Sequence, residues 1–209
     1  SILDVQSWIN IINNEIIKLE LVKPEIIRKA NFKVAVDCIN SVGGKIIPDF
    51  LKALGVENII ELNCDCSGNF SHTPEPLPEN LTEISELIKK EKADIGFVVD
   101  PDVDRLAIID ENGNMFGEEY TIVAVADYIL QNKKGATVSN LSSSMALKEV
   151  TEGYDCEYQA SAVGEVNVVA KMKEINAVIG GEGNGGVIYP ELHYGRDALV
   201  GIALFLTYL

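Results

Sequence analysis

Asp100-Pro101-Asp102-Val103-Asp104-Arg105 sets three carboxylates at every second position, with an arginine directly behind them. Like charges this close repel one another unless a cation is shared among them. In an extended or tightly turning loop, alternate side chains can be gathered around one ion. Three hard oxygen donors favour Mg²⁺ or Ca²⁺ over zinc, which prefers nitrogen and sulfur. Arg105 cannot be a ligand, so beside such a site it is suited to gripping a phosphate or carboxylate. The segment reads as a metal-assisted phosphate site. Two plainer readings compete. One is a solvated acidic turn. The other is an EF-hand, since Asp100, Asp102 and Asp104 fill its first three ligand places and Glu111 its twelfth. That loop needs glycine at its sixth place, where Arg105 stands, and helices on both sides. The flanking runs, Asp94–Val99 and Leu106–Ile109, are short, apolar and of strand type.

A second group of residues lies at Gly180-Gly181-Glu182-Gly183-Asn184-Gly185-Gly186. Its glycines expose backbone amides and let a ligand approach closely. It is not a P-loop, because no Gly-Lys-Ser/Thr follows, and no helix opens directly behind it as in a dinucleotide fingerprint. Glu182 as acceptor and Asn184 as donor-acceptor suit the paired hydroxyls of a sugar. The alternative is a glycine-rich hairpin with no ligand.

Both groups fall where an α/β pattern places the carboxyl ends of strands, the ligand edge of such sheets. Ile2, Val5, Ile9, Ile12, Ile16 and Leu19 predict an opening helix. Strand 32–37, helix 43–54 and strand 58–62 make a βαβ unit with parallel strands. A proline-rich loop, 64–79, leads to Asn80, expected as an N-cap with Glu83 three residues on. Helix 81–92, strand 94–99, the strand at 106–109, an Asn-Gly hairpin at 111–114 and helix 120–132 complete the first half. The pattern restarts with strand 136–141, helix 144–152, strand 155–159, helix 165–175 and strand 177–180. A final helix follows Gly195, with Asp197 expected as its cap. The fold class expected is α/β: two tandem α/β domains of related build with mixed, largely parallel sheets, 1–134 and 135–209.

The 209 residues hold 17 Lys+Arg against 32 Asp+Glu, a formal charge of −15. This argues against nucleic acid or an anionic membrane as partner. It also means that a phosphate-bearing ligand needs a divalent metal and placed arginines to be held. Cys38, Cys64, Cys66 and Cys156 show neither a disulfide framework nor zinc spacing, so free thiols in a reducing cytoplasm are expected. The apolar run Leu199–Leu209 is too short to span a bilayer, and the first residues read as an amphipathic helix rather than a secretory leader. A soluble, cytoplasmic protein is expected. The chain starts without Met and stops inside a helical pattern, which suggests a piece of a longer protein.

The Asp-Pro-Asp-Val-Asp-Arg loop, followed about 75 residues later by Gly-Glu-Gly-Asn-Gly-Gly, resembles the α-D-phosphohexomutases. Val34–Asp37 with Gly43-Gly44, the stretch Phe70–Leu81, and Val163–Val166 carry the resemblance across nearly the whole chain. It implies the second and third domains of a four-domain enzyme that moves a phosphoryl group between C1 and C6 of a hexose through a bisphosphate. By this resemblance Mg²⁺ is held by Asp100, Asp102 and Asp104 and by a phosphoserine of the first domain. Arg105 contacts phosphate, and Glu182 and Asn184 hold sugar hydroxyls. A phosphate-clamping loop of the fourth domain recruits the substrate phosphate. The substrates implied are a hexose phosphate and a hexose bisphosphate, with phosphoglucosamine mutase first and phosphomannomutase/phosphoglucomutase next.

The sequence departs from the family in three places. No Thr-Ala-Ser-His-Asn-Pro-like loop exists, so the catalytic serine is absent and the chain alone is expected to be inactive; Ser71 before His72 lies in the proline-rich stretch and is a look-alike only. The family's usual serine in the sugar loop is Asn184, and the histidine often closing that loop is Gly186. These changes leave the general acid/base unassigned, with His193 a nearby candidate. A non-catalytic module for a divalent metal or sugar phosphate, and a Ca²⁺ sensor, are the readings from other classes.

Overall fold

The computed structural model describes residues 5–75 and 77–209. Two helices, α1 (Val5–Ile17) and α2 (Pro24–Ala30), precede β1 (Lys33–Asp37), α3 (Gly43–Leu54), β2 (Asn58–Leu62), α4 (Thr82–Glu91), β3 (Ile95–Val99), β4 (Leu106–Ile109) and α5 (Glu118–Asn132). The second half repeats the order with β5 (Thr137–Asn140), α6 (Ala146–Gly153), β6 (Tyr158–Ser161), α7 (Glu165–Ile175), β7 (Ile179–Glu182), β8 (Gly186–Ile188) and α8 (Ala198–Tyr208). Each half forms one four-stranded sheet, ordered β2-β1-β3-β4 and β6-β5-β7-β8. Three strands of each are parallel and the fourth is an antiparallel edge joined by a hairpin. The expected pair of α/β domains of related build is what forms.

β3 reads Ile-Gly-Phe-Val-Val and is buried at every position, because helices cover both faces of its sheet. On one face, Ile84 and Ile88 of α4 pack against Ala35 and Val98. On the other, a larger core joins both halves, with α5 and α8 lying between the sheets and α3 packing on the first sheet beside α8. The last helix explains its own composition there. Ala198 through Thr207 are all buried. A helix that is apolar all round belongs in an interior. Phe205 meets Phe97 and Phe116 edge-on, at 6.4 and 5.8 Å between ring centroids. Burying each of its large side chains is worth roughly 1.5–3 kcal/mol. No helix among the described residues is long and apolar enough to cross a membrane.

Asp197 caps α8 as expected: its Oδ1 accepts from the Val200 amide at 3.0 Å, and its Oδ2 lies 3.0 Å from His193 Nε2. Asp197→Ala should lower stability by about 1 kcal/mol in urea unfolding, the usual worth of such a cap.

Other expectations need correction. The capping box ahead of α4 does not form. Pro78–Asn80 is a 3₁₀ turn, Leu81 occupies the cap position without a side-chain bond, and the Asn80 side chain donates through Nδ2 to the Glu75 carbonyl instead. Proline-set φ angles in that stretch favour the tight turn over a cap. α2 was not anticipated; it is seven residues long with Pro24 in its first turn, too short for periodicity to reveal. The expected start of the first helix at Ile2 lies outside the described residues.

Candidate functional site

The β3–β4 hairpin carries Asp100 to Arg105, flanked by strands where an EF-hand needs helices. Asp100 is buried, and one oxygen accepts from the amides of Asp104 and Arg105, each at 3.0 Å. Its other oxygen takes Arg105 Nε at 2.8 Å. Burial works to raise this carboxyl, but the Arg105 side-chain and backbone donors outweigh it, and its pKa sits below the usual carboxylate range. Asp100 thus shapes the loop as well as facing its centre. Val103 sits at φ +63°, an uncommon state for a β-branched residue. The loop is held in that shape from outside: the Ala198 amide at the start of α8 donates to the Val103 carbonyl at 3.1 Å, and Ser41 Oγ donates to the Pro101 carbonyl at 2.6 Å.

Ligand oxygens of Asp100, Asp102 and Asp104 lie within 4.8 Å of one another. A Mg²⁺ shell with bonds of about 2.1 Å places its oxygens up to roughly 4.2 Å apart, so a small inward movement would close three carboxylates on one ion. The all-oxygen donor set fits magnesium and does not fit zinc. Asp102 is exposed, and no described residue hydrogen-bonds or ion-pairs with it. Asp104 is half-buried and pairs with the Arg196 guanidinium. Burial and the neighbouring Asp100 carboxylate push its pKa up to about 6, against the pull of Arg196. A metal ligand must be deprotonated to bind. The affinity of the loop for Mn²⁺ should therefore be about tenfold lower at pH 5 than at pH 7 and flat above, with proton release below pH 6. Calorimetry in buffers of different ionisation enthalpy measures this; an affinity independent of pH would contradict it.

The second group closes the β7–β8 hairpin. Glu182 pairs with Gly186 across the strands, leaving the three-residue loop Gly183–Gly185 with Gly185 at φ +89°. This is the three-residue hairpin whose last position is left-handed and prefers glycine. A Cβ on Gly185 would also stand 2.5 Å from the Leu106 carbonyl oxygen. That contact is where the two hairpins meet: the Leu106 amide donates to the Gly185 carbonyl at 3.1 Å, and Arg105 bridges Gly186.

Glu182 is buried, and its carboxylate is occupied. Oε1 accepts from Asn140 Nδ2 at 2.9 Å and from the Gly164 amide at 3.2 Å, and Oε2 accepts from Arg196 Nη1 at 3.1 Å. Asn184 is half-buried at the loop, its Oδ1 accepting from the Gly186 amide at 3.3 Å. An open groove of about 280 Å³, lined by Pro78, Gly117, Glu118, Tyr120 and Gly183, runs beside this loop.

The sequence reading missed Arg196 and Glu165. Arg196 Nε lies 3.3 Å from Glu165 Oε2, an ion-pair distance without the alignment of a hydrogen bond. One guanidinium therefore faces Asp104, Glu182 and Glu165 together. The available signal was scarcity: the chain holds three arginines, Arg28, Arg105 and Arg196, and two of them are here. His193 pairs with Asp197, whose carboxylate raises its pKa with a smaller push from Glu165, and it also lines a groove with Ile11, Ile12 and Leu192. His72 lies 3.3 Å from the buried Asp37 and closes the proline-rich loop onto the end of β1.

Two family models match in tandem: phosphoglucomutase/phosphomannomutase alpha/beta/alpha domain II over residues 7–113, and domain III over residues 117–209. The chain belongs to the phosphoglucomutase/phosphomannomutase family. α5 falls inside the second match and packs on both sheets. The chain is 36% identical over 175 residues to a phosphoglucomutase/phosphomannomutase of Thermococcus kodakarensis, covering 83% of this chain and 38% of that protein. It is 33% identical over 179 residues to a probable phosphoglucosamine mutase of Methanopyrus kandleri, covering 85% and 39%. The chain thus spans about 40% of the length of these curated relatives. Among solved structures, a phosphoglucomutase/phosphomannomutase family protein of Burkholderia thailandensis superposes with a TM-score of 0.81 at 28% identity, over 94% of this chain and 43% of that one.

Proposed function

We propose that this chain is the metal-carrying and sugar-reading middle of a magnesium-dependent phosphohexomutase, which interconverts hexose 1-phosphate and hexose 6-phosphate through a bisphosphate. The single observation that carries the reading is the meeting of two equivalent hairpins: three carboxylates on one, the Glu182–Asn184 loop on the other, joined at Leu106 and Gly185. In this reading residues 1–134 supply the metal loop and 135–209 the sugar loop. Asp100, Asp102 and Asp104 would hold Mg²⁺, which when bound neutralises charge developing on the transferred phosphoryl group. Arg105, fixed through Nε by Asp100, keeps its terminal nitrogens for a phosphate. Asn184, half-buried at the loop tip, meets ring hydroxyls. Glu182, with three bonds already made, contributes a remaining lone pair and fixes the loop.

The phosphoryl carrier is supplied from outside these 209 residues, and the chain alone is inactive in this reading. Relatives named phosphoglucosamine mutase, and one of Sulfurisphaera tokodaii named phosphoglucosamine/phosphogalactosamine mutase (34% identical over 189 residues), favour an amino sugar first. Mannose and glucose phosphates come next. ³¹P NMR of the gene product that contains this chain with its flanking domains, given Mg²⁺, the hexose bisphosphate and each sugar 1-phosphate in turn, tests the reading. Conversion to a 6-phosphate, fastest for glucosamine, is expected. No conversion of any of the three would leave a metal or sugar-phosphate binding module instead.

A further inference from the structure

Arg196 is where the metal loop and the sugar loop share a charge. Its Nη2 holds Asp104, its Nη1 holds Glu182 at 3.1 Å, and its Nε lies 3.3 Å from Glu165 Oε2 at the start of α7. The side chain is 19% exposed, and Nε has no aligned acceptor. One cation thus serves three carboxylates. A divalent ion on Asp104 would draw on the one negative charge that its two oxygens share and that the guanidinium now balances. Gly186 adds a mechanical link, since a Cβ there would run into the arginine side chain.

We infer that Arg196 is a positioning residue that transmits cation occupancy of Asp104 to Glu182, so that the metal loop and the sugar loop are set together. The inference rests on the metal reading of the 100–105 loop. When an ion takes Asp104, the guanidinium's attraction to that carboxylate weakens and it bears more fully on Glu182 and Glu165. Glu182 in turn holds the Gly164 amide through Oε1, so a change at Asp104 is felt at the Gly164 N–H, on the far side of the sugar loop. Coupling of this kind needs differential contacts in the two states, and Arg196 provides them.

The test is a Mg²⁺ titration of the ¹⁵N-labelled 209-residue chain, followed at the amides of Asp104 and Gly164. In the natural sequence both amides should shift with the same midpoint. In Arg196→Met the Asp104 shift should persist while the Gly164 shift is lost. Arg196→Lys, which can reach one carboxylate but not span three, should lose at least half of the Gly164 shift, and serves if the methionine variant does not fold. A Gly164 amide silent in the natural chain while Asp104 responds, or one still responding fully in both variants, overturns the inference. Asp102→Asn is the control for the metal reading, since Asp102 does not touch Arg196. It should abolish both responses; an unchanged Asp104 response there, or none in the natural chain, sinks the metal reading itself.

Discussion

Asp102→Asn in the full-length protein should lose about 10²–10³-fold in kcat/KM for the proposed mutase reaction, a barrier increase of roughly 3–4 kcal/mol at 1.36 kcal/mol per tenfold. Stability should change by no more than about 0.5 kcal/mol, as is usual for an exposed side chain outside any network. The contrast with its neighbours makes this substitution informative. Asp100 shapes the loop through two amides and Arg105, so Asp100→Asn disturbs structure and ligand together. Asp104 is bound to Arg196, so its loss also unsettles the sugar loop. Asp102 alone offers a carboxylate to the centre with no described partner. Steady-state assay beside thermal unfolding separates the two effects. Retained activity would remove Asp102 from the proposed metal shell.

Arg196→Met should be the most destabilising single change at the site. It leaves Asp104, Glu165 and Glu182 facing one another without their cation, and Glu182 is only 6% exposed in its side chain. Removing one partner of a buried ion pair costs about 3–5 kcal/mol; the partial exposure of Asp104 and Glu165 brings the expectation to roughly 2–4 kcal/mol. For a chain of this length that is a fall in Tm of about 5–15 °C. Glu165→Gln, at a more exposed carboxylate, should cost about 1 kcal/mol or less. Differential scanning calorimetry of both variants measures the pair. A fall below 2 °C for Arg196→Met would mean that the three carboxylates find other partners.

The two hairpins were legible to different degrees. Asp100–Arg105 could be read from sequence because its donors fall at alternate positions of one short segment, flanked by two apolar runs whose shortness and β-branched residues mark them as strands. Its neighbour in space could be named, yet its state could not. Glu182 looks like a free acceptor on a glycine loop, whereas Asn140, Gly164 and Arg196 occupy it. Those partners come from three other segments, and Arg196 reaches Asp104 across 92 positions, a separation with no sequence pattern. The helical run after Gly195 was visible as apolar. That it packs between two sheets, against Phe97 and Leu106 of the other half, follows only once both sheets exist. Short local contests were also lost. Pro78 opens a 3₁₀ turn where the Asn80 cap was expected, and α2 is too brief for a hydrophobic stripe.

The central claim is that the 100–105 loop is a divalent-metal site. The measurement that tests it most directly is an anomalous difference map from crystals of the protein grown with Mn²⁺, which stands in for Mg²⁺. The account predicts a peak among the carboxylates of Asp100, Asp102 and Asp104, with oxygen distances of about 2.0–2.3 Å, and its loss in Asp102→Asn. A map with no peak at this loop at saturating Mn²⁺, or with its strongest peak at other carboxylates, would contradict it.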